Sequence, residues 1–61
     1  MGMNNSDIAH DVVDDVLKYL GIKDERSQDE RFNEIAEEVI KRLKREDIEV
    51  NKYDVAEMLD G

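Results

Sequence analysis

Apolar residues return along this chain at steps of three and four, in blocks set apart by polar stretches. In the first block Ile8, Val12, Val13, Val16, Leu17 and Leu20 follow one another by four, one, three, one and three positions. At 3.6 residues per turn these side chains draw one stripe, and Asp11, Asp14, Asp15 and Lys18 fall on the other face. The pattern predicts a helix over residues 7–20. Ser6 is placed to cap it, and Asp7 then stands at the positive end of the helix dipole. Gly21 supplies the left-handed residue that ends many helices, with Ile22 folding back toward Leu17.

The second block carries Phe32, Ile35, Ala36, Val39, Ile40 and Leu43 at the same spacing. Before it, Ser27-Gln28-Asp29-Glu30 reads as a capping box, in which the hydroxyl takes one orphan amide and the Glu returns to another. The helix is expected from Ser27 to Arg45 or Glu46. Glu37 with Lys41 and Glu38 with Arg42 are four apart in the favourable order, worth about 0.2–0.5 kcal/mol each. Residues 23–26 form a polar link short enough to make the two helices antiparallel neighbours.

Asp47-Ile48-Glu49-Val50 alternates with period two. One such run makes no sheet, so it reads as an extended connector that pins Ile48 and Val50 to the core. Asn51 then starts a third helix, with Asp54 three residues on in a capping-box position. Tyr53, Val55, Ala56, Met58 and Leu59 give that helix its apolar side. The expected fold is all-α: a small three-helix domain, two long antiparallel helices plus a short C-terminal helix. It forms one domain over residues 1–61, with residues 1–5 outside the ordered part and Met1-Gly2 a cloning remnant before a native Met3.

Composition narrows the function classes. At 61 residues the chain buries only roughly 60% of its unfolded surface, so small increments of stability matter. With no Cys and one His there is no thiolate site, no disulfide, and no basis for an all-protein zinc cage. No apolar run approaches the ~20 residues of a membrane span, and no basic-then-apolar leader opens the chain. The expectation is a soluble, cytoplasmic protein with no membrane contact.

Charged residues are 43% of the chain and the net charge is -8. Residues 1–40 carry a net -7, residues 41–45 (KRLKR) +4, and residues 46–61 -5. The basic run sits where a helix dipole favours cations. Asp7, Asp11 and Asp14 share one face of the first helix, and Glu30, Glu34 and Glu37 share one face of the second. Rows of carboxylates on rigid helices keep a small domain soluble, and they also attract a basic protein surface.

Three local patterns invite sharper chemistry. Asp54-Val55-Ala56-Glu57-Met58-Leu59 followed by Gly61 resembles the first helix and turn glycine of a helix-turn-helix DNA reader. As a first helix it leaves the reading helix absent. As a reader it presents Asp54, Glu57 and Asp60 against one Lys52, a face that repels phosphate. Asp7-Ile8-Ala9-His10 resembles the acid-x-x-His pair of dinuclear iron bundles, but Ile8 and Val12 take the inward positions and two ligands complete no coordination shell. The doublets Asp14-Asp15 and Glu37-Glu38 fall on the solvent side, where nothing separates their pKa values for acid–base work. Residues 24–30 lack the sixth-position Gly of a calcium loop.

These readings converge on a non-enzymatic protein with no cofactor, no metal and no direct nucleic-acid contact. The expected function is a small acidic interaction or regulatory protein that binds another protein, the basic surface of a nucleic-acid-binding partner being one such target. Asp11, Asp14, Asp15, Glu34, Glu37 and Glu38 are the expected contact residues. One alternative is a structural homodimer, in which Tyr53, Val55 and Met58 form an apolar contact left uncovered by a short third helix. Another is the N-terminal domain of a longer DNA-binding regulator.

Overall fold

The computed structural model describes residues 5–60, with side chains from Asp7 onward; residues 1–4 and 61, including the Met1-Gly2-Met3 start, lie outside the described residues. Four helices occur among the described residues: α1 Asn5–Leu20, α2 Glu25–Glu30, α3 Phe32–Arg45 and α4 Lys52–Asp60. The fold is a small all-α domain with two long antiparallel helices, α1 and α3, and a short C-terminal helix. The carbonyl at the end of α1 meets Arg31 at the start of α3. Val12, nearer the other end of α1, shares a groove with Arg45 and Glu46 at the end of α3.

Helix α1 starts two residues earlier than its apolar pattern indicated, so Ser6 lies inside it rather than at its cap. Ala9, Val13 and Val16 are buried, while Ile8, Val12, Leu17 and Leu20 are half-buried flanks. The buried line therefore runs one position on from Ile8 and Val12, beginning at Ala9. Its end matches expectation. Gly21 has φ +73 and a Cβ there would meet nothing within 4 Å, so conformation and not space calls for glycine. The Ile22 amide donates to the Leu17 carbonyl at 2.9 Å and the Gly21 amide to the Lys18 carbonyl at 3.2 Å, a Schellman stop.

The expected second helix is two pieces. Asp24, not Ser27, is the cap: its carboxylate accepts the Ser27 amide at 2.8 Å. Glu25 and Arg26, expected in the link, are helical. Asp and Ser rank alike as caps, and Asp24 wins because it gains the earlier turn without losing any core contact: α2 has no buried residue. The break falls at Arg31, with φ -111 and ψ 22. The apolar stripe begins only at Phe32, so nothing in α2 compels it to continue the line of α3. Within α3, Ile35, Ala36, Val39 and Leu43 are buried. Glu38 and Arg42 pair at 3.6 Å, whereas no ion pair joins Glu37 and Lys41 among the described residues.

Helix α3 ends as α1 does. Asp47 takes φ 60, its amide donates to the Lys44 carbonyl at 3.1 Å, and the Ile48 amide donates to the Leu43 carbonyl at 2.9 Å. Ile48 is buried and Val50 packs against the core, as expected of the connector. The capping box of α4 is present. The Asn51 amide donates to the Asp54 carboxylate at 3.1 Å, and the Asp54 amide to the Asn51 side-chain oxygen at 2.9 Å. Val16, Ile35, Val39, Leu43 and Val55 have no exposed surface, and burying each contributes about 1.5–3 kcal/mol. So α1, α3 and α4 close one core. No helix among the described residues is long and apolar enough to cross a membrane.

Candidate functional site

The expected contact carboxylates do not form one continuous acidic face. Asp11, Asp14 and Asp15 are exposed on α1, Glu34 and Glu37 are exposed on α3, and Glu38 is half-buried. Asp14 pairs with Lys18 at 3.3 Å and Glu34 with Arg31 at 2.9 Å. Asp15 and Glu38 are brought together in a groove between α1 and α3, but Lys41, Arg42 and Arg45 line it too. There the Arg42 guanidinium lies 5.3 Å from the centre of the Tyr19 ring, a cation–π distance. Asp11, Asp15 and Glu37 make no ion pair among the described residues.

The three apolar contact candidates separate as well. Tyr53 is 82% exposed and Met58 half-buried, but Val55 is enclosed in the chain's own core. Asp7 and His10 are both exposed. On α4, Lys52, Asp54, Glu57 and Asp60 are all exposed.

A different place combines shape with charge of one sign. A groove of about 470 Å³ opens where α2 and the start of α3 face the last turns of α4. Its floor holds Phe32 and Leu59, both half-buried. Four carboxylates line it, Glu25 and Asp29 from α2 and Glu57 and Asp60 from α4, with no Lys or Arg. None of the four is in an ion pair among the described residues.

Local sequence sets both walls. Glu25 and Asp29 are four apart on α2, and Glu57 and Asp60 are three apart on α4, so each pair shares a helix face. The Asp24 cap fixes where α2 begins. The amide and hydroxyl of Ser27 hold the Asp24 carboxyl below its ordinary value, because both hydrogen bonds favour the charged form. Arg31 fixes where α2 ends: one guanidinium nitrogen donates to the Leu20 carbonyl and another to Glu34, each at 2.9 Å. The sequence signal for this groove was the four-and-three spacing of those acids. It stayed hidden because residues 23–26 read as a link and the helix as starting at Ser27, which put Glu25 and Asp29 in different elements.

No group of three or more His, Cys, Asp or Glu side chains among the described residues is arranged to hold a metal ion. No family model, no curated protein and no solved structure matches the chain.

Proposed function

We propose that this chain is a small acidic, non-enzymatic interaction protein that binds the basic surface of another protein, as a regulator or adaptor. One observation carries the reading: with 17 Asp and Glu against 9 Lys and Arg, the ion pairs among the described residues leave carboxylates well in excess of cations. Lys18, Arg26, Arg31 and Arg42 each pair with an acid three or four residues away on the same stretch of chain. Asp11, Asp15 and Glu37, with the four groove carboxylates, remain as negative charge outside any ion pair among the described residues. Such a field speeds and orients the approach of a cationic surface, and its effect falls with salt. A cytoplasmic site of action belongs to this proposal, since a chain without Cys needs no oxidising compartment to fold.

The test is capture of partners from the native cell's lysate on the immobilised chain, washed at about 50 mM and then about 500 mM salt, where screening shortens to within a few ångströms. The expected result is a basic protein released by the second wash. A partner retained through that wash would refute the electrostatic reading. A homodimer through α4 is the second reading, favoured by the exposure of Tyr53 and narrowed by the burial of Val55. A sedimentation mass that stays monomeric over a hundredfold concentration range removes it.

A further inference from the structure

We infer that the contact is made in the groove between α2 and α4, and that it accepts a short cationic segment of a protein partner that inserts one aliphatic or aromatic side chain between flanking Lys or Arg residues. This rests on the acidic-interaction reading and names its site.

Charge complementarity selects the occupant. Two other grooves carry both signs. The one between α1 and α3, about 460 Å³, has Asp15, Glu38 and Glu46 against Lys41, Arg42 and Arg45. The one beside the connector has Lys44 with Glu49 and Asp54. In the α2–α4 groove all four charged side chains are acids, so its field is of one sign and it draws cations. The floor adds what a plain acidic surface lacks. Phe32 and Leu59 leave apolar area that only an apolar side chain covers favourably. A single anchor in such a slot, ringed by charge contacts, is how small interfaces concentrate their affinity.

A second copy of the chain does not meet this description. Its one basic run is Lys41-Arg42-Leu43-Lys44-Arg45, and Leu43 is wholly buried in its own core, so the cations come without the anchor.

The experiment titrates the isotope-labelled whole chain with short Lys/Arg peptides carrying a central Leu, and with the same peptides carrying Ser in its place, at low salt. Amide resonances around Glu25, Asp29, Phe32, Glu57 and Leu59 should shift. The Leu peptide should bind about tenfold more tightly than the Ser peptide, the usual worth of one well-covered apolar side chain. Glu57→Lys with Asp60→Lys turns the rim from four negative charges to two of each sign. This double variant should weaken the Leu peptide about tenfold, as loss of steering and rim contacts predicts. Both positions are exposed, and circular dichroism confirms that the variant is folded.

Equal affinity for the two peptides, or shifts confined to Asp11, Asp15 and Glu37, overturns the groove. So does a calcium titration that moves the same amides and displaces the peptide. If the whole chain still captures a salt-released basic partner and the double variant captures it equally well, the groove fails and the acidic-interaction reading stands. If no salt-released partner exists, that reading fails first.

Discussion

Replacing Arg31 with Ala tests how a domain this small holds its corner together. The side chain is 39% exposed, yet it touches three elements. It donates to the last carbonyl of α1, sits at the junction of α2 and α3, and pairs with Glu34 in the first turn of α3. A charged donor to a carbonyl contributes about 1.5–3 kcal/mol where solvent is excluded, and the lower end applies to this half-exposed case. A cation at a helix C-terminus adds about 0.3–1 kcal/mol. The Glu34 pair, open to water on both sides, adds no more than about 0.2–1 kcal/mol. Arg31→Ala should therefore cost about 2 kcal/mol. For 61 residues the total stability is roughly 3–9 kcal/mol, so the loss is a large fraction. The thermal midpoint should fall by roughly 10 °C, and the urea midpoint should fall without a change in slope. Glu34→Gln is the control and should cost less than about 1 kcal/mol, because it removes only the exposed pair. If both variants lose the same amount in parallel urea melts followed by far-ultraviolet circular dichroism, the Leu20 carbonyl contact contributes nothing and the argument is wrong.

Two further predictions concern single residues at helix ends. Asp24 has a folded pKa below its ordinary 3.8, so its ionised cap stabilises the fold above that value and the contribution disappears as pH falls through the depressed one. Asp24→Asn should then be less acid-sensitive than the parent in urea melts below about pH 4, and the Asp24 carboxyl should titrate by NMR below its ordinary value; a midpoint at or above that value refutes the cap. Asp47 stands at φ 60, so Asp47→Gly should be neutral or stabilising by about 0.5 kcal/mol and Asp47→Val destabilising by about 1 kcal/mol or more, read from urea midpoints. Equal stability of the Gly and Val variants would contradict the strain.

The two helix stops show why one was legible and the other was not. Gly21-Ile22 and Asp47-Ile48 do the same work: a left-handed residue, then a buried Ile whose amide reaches the carbonyl five residues back. Gly announces the first, since it takes positive φ freely. Asp announces nothing, and the alternation through Val50 read instead as an extended stretch. The connector's role was nevertheless readable, because Ile48 and Val50 had no other place to go. The α4 capping box was legible because Asn51 and Asp54 are the only reciprocal pair available there. The other box was misplaced because Asp24 and Ser27 compete as caps within one turn, and only the lack of an apolar stripe in α2 decides between them. The groove was the least legible part. Its walls come from helices far apart in sequence, and charge pattern along one helix does not show which helix lies opposite.

The absence of any buried residue in α2 has a kinetic consequence. A six-residue helix is far below the length at which a helix holds by itself in water. It persists through its cap at Asp24 and its neighbour Arg31, while α4 is anchored by Val55. One wall of the groove is thus hung from its ends and the other is nailed to the core. Amides of α2 should exchange with solvent deuterium through local opening, well ahead of those in α1 and α3, whose exchange waits for the whole domain. Anything that bridges the two walls takes that motion away, so slowed exchange in α2 records occupancy of the groove.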